Sequence, residues 1–486
     1  MRRLAMACLA AGVLAAQAAP APTPAPERRP RVVVLTDIEA DPDDTQSLVR
    51  LMLYTNDLDI QGIVATTSVH MRAAVHPESV RAVIERYARV RPNLLKHDPA
   101  YPPAQQLLAK VSQGLPVYGM AGVGDGHDSP GSSLLLRAIE ADDPRPLWIT
   151  VWGGANTLAQ ALYRLQHTTT PERLARLVGR LRVYTISDQD DSGAWIRKTF
   201  PTLFYIVSPG GYGNATWMGM IDAVDGIDNT TVSNPWLAAH IQQGHGPLGA
   251  AYPDVAYGME GDTPSFLGLI PNGLNVPEHP DWGGWGGRYV ARIPAIGETD
   301  PQGFNGGVPV EQETRPIWTN AADTYTPFVA ADHGRAIKPA SRSFTGNRVT
   351  VWRWRDDFQN DFAARMAWTT QPYAAANHAP VPALAHADRL TVHGGDWFTL
   401  DASGSLDPDG DSLSYHWFEY REAGTLAQPL ELGTENLKHT AARAPLVARP
   451  ATAHVILRVT DKGAPPLSRY KRVIVTILPK DQDLSR

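Results

Sequence analysis

The chain is 486 residues long, 43% hydrophobic and 19% charged, enough to bury one large core and a smaller one and to divide into two or three domains. Its formal net charge of −6, with no block of lysine or arginine, excludes nucleic acid as the main partner, because phosphate binding needs a clustered positive field. The single cysteine excludes an intramolecular disulfide framework.

Met1-Arg2-Arg3, an apolar run from Leu4 to Ala16 and the small residues at Ala16-Gln17-Ala18 follow the order of a secretory signal peptide over residues 1–18. The run is shorter than the roughly 20 apolar residues a bilayer-spanning helix needs. Cleavage after Ala18 and a periplasmic or secreted destination are therefore predicted, with no membrane partner. Cys8 leaves with the signal, so the mature protein relies on core burial and on any bound metal for stability. Residues 19–30, rich in proline and alanine, read as a disordered linker.

From Arg31 the texture changes. Short β-rich runs at 31–37, 58–68, 115–119, 146–152, 181–188 and 203–208 alternate with segments of helical period, such as Val80, Val83, Ile84 and Tyr87, or Leu158, Ala161, Leu162 and Leu165. This alternation predicts an α/β domain over residues 31–375 with a mostly parallel, doubly wound sheet. Beyond Trp236 the chain loosens into Gly-, Pro- and Trp-rich loops, notably 277–289, of the kind that shape a site on such a scaffold. The block 352–368 reads as a helix in which Arg353, Arg355 and Arg365 either form a solvated basic face or touch ligand.

Asn377-His378-Ala379-Pro380 reads as an interdomain joint. Strand patterns at 390–392, 397–400, 413–420, 454–460 and 470–478 predict a small all-β, immunoglobulin-like sandwich over residues 376–486. The run Asp401 to Asp411, followed by Tyr415-His416-Trp417, resembles the PKD and cadherin-like modules of secreted enzymes. Its carboxylates read as an Asp/Gly turn, with calcium binding as the alternative.

The sharpest feature is the loop after the first strand, where Asp37, Glu39, Asp41, Asp43 and Asp44 place five carboxylates within eight positions. A helix follows, with Leu48, Leu51 and Met52 on one side. Like charges this close cost several kcal/mol per pair at low dielectric, so the loop is either solvated or shared by a cation. Its position at the carboxyl end of a parallel strand is where α/β proteins hold ligands. Oxygen donors without cysteine suit Ca²⁺, with Mg²⁺ as the alternative, rather than Zn²⁺.

The pattern Asp37-x-Glu39-x-x-x-Asp43-Asp44 resembles the N-terminal motif of the inosine-uridine nucleoside hydrolase superfamily. Together with Trp152-Gly153-Gly154-Ala155-Asn156, Ile186-Ser187-Asp188-Gln189-Asp190-Asp191, Glu260-Gly261-Asp262-Thr263-Pro264 and 282–289, the chain is similar to secreted cellulose-binding proteins that carry a nucleoside-hydrolase-like domain and a C-terminal β domain. The resemblance implies a metal site of Asp37, Glu39, Asp44, the Asn156 backbone carbonyl and Asp262, with Glu39 also the general base. It implies a substrate contact from Asp43, which would hold ribose hydroxyls; beside it, the Trp- and Gly-rich loop reads as offering Trp282 and Trp285 to a sugar face, and Asp188 reads as a further substrate contact. Two departures stand out: Glu39 replaces an aspartate, and no histidine precedes Asp262, so the leaving-group acid falls to Asp188, Asp190, Asp191 or His127. The function implied is an exported, calcium-dependent hydrolase of glycosidic bonds, acting on N-glycosyl compounds or on glycans. The alternative is a non-catalytic protein that binds cellulose or another plant-wall polysaccharide through the same pocket.

Overall fold

A computed structural model describes residues 29–300, 303, 308–331 and 336–480. The signal peptide and most of the linker lie outside the described residues. The first domain alternates strand and helix: β1 (Arg31–Thr36), α1 (Pro42–Met52), β2 (Asp59–Ala65), α2 (Pro77–His97), α3 (Ala104–Leu108), β3 (Val111–Gln113), α4 (Pro130–Glu140), β4 (Leu147–Val151), α5 (Asn156–Thr168), α6 (Pro171–Gly179), β5 (Leu181–Thr185), α7 (Ser192–Thr199) and β6 (Phe204–Val207). With β7 (Tyr289–Arg292) and β8 (Ile317–Asn320) they form one eight-stranded sheet in the order β3-β2-β1-β4-β5-β6-β8-β7, parallel except for the β7–β8 pair.

Both faces of this sheet are covered, as the continuous apolar strands require. Successive residues of β1 point to opposite cores: Val32 and Val34 join Leu48, Leu51, Ile84 and Tyr87 from α1 and α2, while Val33 and Leu35 join Leu135, Leu158, Leu162 and Ile196 from α4, α5 and α7. The strand order reverses at β1, which lies between β2 and β4, so a crevice opens beyond their carboxyl ends.

The sequence places a strand at 115–119; the structure places it earlier, as the three residues of β3. Pro116 in that run lacks the N–H a sheet ladder needs, and the run leads instead into a single 3₁₀ turn, Gly119–Gly122.

The second unit is a β-sandwich. One sheet orders Arg389–His393, Ser468–Leu478, Ala451–Thr460 and Ser414–Glu419, and the other orders Trp397–Asp401, His439–Arg443 and Glu431–Leu432. The Asp401 to Asp411 run contains a turn in which Asp407 accepts the backbone N–H groups of Asp409 and Asp411, at 2.9 and 3.0 Å.

The two units share apolar packing, with Tyr420, Ile456 and Tyr470 of the sandwich in the same core as Trp285 and Phe358. The arginines of 352–368 do not form a solvated face; they are committed to ion pairs and hydrogen bonds inside the protein. Arg355 and Arg365 are buried within Arg355–Ala367, where Arg365 pairs with Asp57 and Asp361 at 2.6 and 3.0 Å; Arg353, just before it, pairs with Asp323 at 2.9 Å. Arg469 of the sandwich reaches the other oxygen of Asp361 at 2.7 Å, so these charges clamp the domain seam. Among the described residues no helix is long and apolar enough to cross a membrane.

Candidate functional site

The loop from β1 into α1 builds one wall of the crevice. The Ala40 N–H bonds the Asp37 carbonyl at 2.9 Å, closing a tight turn, and Glu39 within it has φ +83°, a region costly for a residue with a Cβ. Ile38 is buried and Glu39 exposed. Asp41 then caps α1, its Oδ1 accepting the Asp43 N–H at 3.0 Å, with Pro42 in the first turn, an arrangement that suits a helix start.

The carboxyl ends of the neighbouring segments complete a small cavity of about 30 Å³ lined by Asp37, Asp41, Asp43, Asp44 and Asp262 together with His70, Trp152, Ser187, Gln189, Tyr212 and Trp217. Ligand oxygens of Asp41, Asp43 and Asp44 lie within 4.8 Å of one another. Asp44 accepts from the Thr36 hydroxyl. Backbone comes unusually close: a Cβ on Gly153 would meet Asp37 Oδ1 at 2.6 Å and one on Gly261 would meet Asp43 Oδ2 at 2.9 Å, so both glycines are required by packing against carboxylates.

Electrostatically the cavity is unbalanced. Burial, then the neighbouring carboxylates, push Asp43, Asp44 and Asp262 well above the ordinary carboxylate range, and burial raises Asp37 to about 6. No lysine or arginine lines the cavity; nearby Arg50 is committed to Glu260 at 2.5 Å. Two buried oxygens, Asp262 Oδ2 and Gln189 Oε1, have no hydrogen-bond donor among the described residues. Unmet oxygen acceptors in a crowded anionic cavity fit a hard divalent cation, and a void of this size has room for an ion or about one water molecule.

Of the residues expected at the site, Asp37, Asp43, Asp44 and Asp262 converge there. The others do not. Glu39 is turned to solvent by the tight turn, and Asp41 occupies the cavity instead. Asn156 does not line the cavity; its side chain bonds Thr66, Thr67 and the Val117 carbonyl. Asp188 is held by both terminal nitrogens of Arg197 at 2.8 Å and lies outside the cavity. Trp285 is fully buried at the seam, its indole N–H 3.4 Å from the Tyr470 hydroxyl. Trp282 stacks on His279 with ring centroids 3.9 Å apart, also at the seam. As for the candidate acids, Asp190 accepts the N–H groups of Ser192 and Asn156, and Asp191 accepts that of Met120; neither they nor His127 lines the cavity.

The mouth is formed by residues that sequence spacing does not single out. Tyr212 and His70 are hydrogen-bonded at 3.0 Å and stacked, and Trp217 meets Tyr212 edge-on at 5.6 Å. Trp217 is fixed by its indole N–H on the Ser187 hydroxyl at 3.0 Å. Burial raises the Tyr212 phenol to about 12, helped by Asp41 and Asp43, and lowers His70. Gln189 and Ser187 did carry a signal, since they flank Asp188 in one of the blocks that mark the resemblance.

Comparison with known proteins places these features in context. A family model described as cellulose-binding Sde182, nucleoside hydrolase-like domain, matches residues 31–289, and one described as cellulose-binding protein Sde0182, C-terminal domain, matches residues 397–477. Among solved structures, the chain aligns with a nucleoside hydrolase-related hypothetical protein from Saccharophagus degradans that is associated with carbohydrate metabolism. That alignment has a TM-score of 0.77 and 35% identity, covering 92% of this chain and 100% of the other. The PKD domain from the KIAA 1837 protein aligns at 20% identity over 21% of this chain and 92% of its own, with a TM-score of 0.17. The type III effector XopQ, complexed with adenosine diphosphate ribose, aligns at 13% identity over 60% of this chain and 88% of its own, with a TM-score of 0.27. No curated protein matches.

Proposed function

The chain belongs to the cellulose-binding Sde182 family with a nucleoside-hydrolase-like domain, and from that premise we propose that it is an exported, calcium-dependent hydrolase of glycosidic bonds that acts on sugar-containing compounds or glycans. The observation that carries the reading is the convergence of five carboxylates, with two unpartnered buried oxygens, on one cavity at the sheet's switch point. Asp37, Asp41, Asp43, Asp44 and Asp262 would hold the ion, with Gln189 Oε1 as a neutral oxygen beside them. A calcium ion bound there would acidify an attacking water and polarise sugar hydroxyls.

The chain's own groups supply the rest. Asp41, half-buried, with Oδ1 on the Asp43 N–H and its carboxyl beside that of Asp43, takes the proton of the attacking water, the role the resemblance gave to Glu39. The rings of Tyr212 and Trp217 offer apolar faces to the C–H surface of a sugar. As water bonds to the anomeric carbon and the glycosidic bond breaks, the hydrogen-bonded Tyr212–His70 pair gives a proton to the departing atom. The reaction is a single displacement with no covalent enzyme intermediate.

A second reading has its own support. A cavity of about 30 Å³ holds an ion but not a sugar ring, which favours a protein that grips glycan hydroxyls at the mouth without cleaving. The purified mature protein, incubated with calcium, nucleosides and cello-oligosaccharides, is expected to release reducing sugar, and the release should vanish with chelator and in Asp41→Asn. No release from any substrate, with calcium-dependent retention on insoluble cellulose, would decide for the binding protein.

A further inference from the structure

A second concave site lies away from the carboxylate cavity, along the seam between the two domains. It is a groove of about 440 Å³ between the loop bearing Gly273, Val276 and Trp282 and the sandwich strands Arg389–His393 and Ser468–Leu478, within the usual size for a ligand site. Its floor is built rather than loose. Gly273 has φ +85° and its backbone passes so close to the Tyr470 carbonyl that a Cβ would lie 2.0 Å from it, while the Tyr470 N–H bonds Asn272 at 3.0 Å.

The charge of this groove is opposite to that of the protein. Arg389, Lys471 and Arg472 face Asp388 as the one carboxylate in the lining, although the chain as a whole carries −6. Arg472 is 7% exposed, and its hydrogen bonds go to neutral acceptors: the Leu274 carbonyl at 3.2 and 2.8 Å, the Gly283 carbonyl at 2.9 Å and His454 Nδ1 at 3.0 Å. These four bonds leave one of the five guanidinium donors, on Nη1, without a protein acceptor among the described residues. Burial without a bonded carboxylate lowers Arg472 to about 10. Asp281 acts on it through space but no carboxylate among the described residues bonds it, and a buried cation without a bonded anion is costly until one completes it.

We infer that the seam groove binds the carboxylate of an acidic saccharide, with Arg472, Arg389 and Lys471 as its cationic lining and Val276, Leu384, Ile474 and the Trp282 edge against the sugar ring. Guanidinium groups match a planar carboxylate through paired N–H bonds, and the apolar residues between the charges suit the C–H face of a pyranose. That the anion is carried by a sugar rests on the carbohydrate reading of the protein given above. The groove would then hold an acidic chain of wall polysaccharide by a site separate from the carboxylate cavity.

The test is calorimetric titration of the full mature protein with trigalacturonate, in EDTA so that the carboxylate cavity is without its ion. Saturable binding is expected, weakening as salt is raised. It should fall tenfold or more in Arg389→Ala/Lys471→Ala, since each charge-assisted contact is worth about a factor of ten. These side chains are exposed and half-buried, and an unchanged melting temperature would show that the fold is kept. Methyl-esterified trigalacturonate and cellotriose should bind at least tenfold more weakly. The inference is overturned if those neutral sugars bind equally well, if the double variant binds like the wild type, or if acetate or inorganic phosphate binds as tightly as the trisaccharide. Asp44→Asn separates this claim from the cavity reading: trigalacturonate binding should survive it, whereas cleavage and calcium-dependent cellulose retention left unchanged by it would count against the cavity and not the groove.

Discussion

Replacing Asp37 by asparagine tests the electrostatic premise of the site. Asp37 is 2% exposed, and burial, with Asp41 adding to it against a Ser68 hydrogen bond, raises its carboxyl from 3.8 to about 6. The unfolded group releases its proton near pH 4 and the folded one near 6. Between those values the folded state binds more protons, so stability of the metal-free protein falls as pH rises and the full penalty is present above pH 6. Two units amount to about 3 kcal/mol. For a chain of 486 residues, with an unfolding entropy near 1 kcal/mol per degree, this is roughly 3 °C. Asparagine is needed rather than alanine, because Gly153 packs directly on this side chain. In EDTA at pH 7.5, Asp37→Asn should therefore melt up to about 3 °C higher than the wild type, with the gain disappearing toward pH 4. Calcium at about 100 times its Kd should raise the wild type by about 2.7 kcal/mol, and the variant by less. Differential scanning calorimetry across pH, with calcium and with chelator, reads both effects. A variant that melts lower in chelator at pH 7.5, or gains as much from calcium as the wild type, would refute the argument that a crowded anionic cavity awaits a cation.

Two further outcomes follow from particular contacts. Calcium titration by calorimetry should separate neighbouring carboxylates: Asp41→Asn weakens binding about tenfold or more, whereas Glu39→Gln, on a side chain turned to solvent, stays within about twofold. At the seam, Asp361 is 2% exposed and bonded to Tyr54, Arg365 and Arg469. Burial opposes its ionisation, but Arg469 and Arg365 overcome that and hold it at about 2. Asp361→Asn leaves the buried Arg365 with Asp57 alone and removes the carboxylate from the half-buried Arg469, and should cost about 3 kcal/mol in urea unfolding at pH 7. Because the folded carboxyl is depressed, its contribution is present above pH 4 and lost as pH falls toward 2, so wild type and variant should converge there.

Much of the architecture is legible along the chain because it rests on local period. The apolar runs of β1, β4 and β5 are buried on both faces, and the stripe Val80, Val83, Ile84 and Tyr87 packs α2 onto the sheet. The carboxylate loop is legible too, since a strand, a turn and a proline-started helix follow from adjacent residues. The choice between Glu39 and Asp41 is not. The resemblance assigns the role to Glu39, but the turn closed by Ala40 on Asp37 sends that side chain outward and brings the helix cap inward. An aspartate directly before Pro42 was the available signal, because that pair marks a helix start. Trp282 and Trp285 were drawn to the site by their composition. Both serve the seam instead, where the partners Tyr470 and His454 lie far along the chain.

The α/β order, the sandwich that follows and the carboxylate loop at the end of the first strand are all readable from local pattern, because each depends on neighbours within a few residues. Which oxygens share the cavity, that Tyr212, His70 and Trp217 form its mouth, and that Arg365 and Trp285 are buried and Arg353 half-buried at the seam, came from the folded packing. Those outcomes depend on side chains brought together from distant segments by packing, and no local periodicity encodes such meetings.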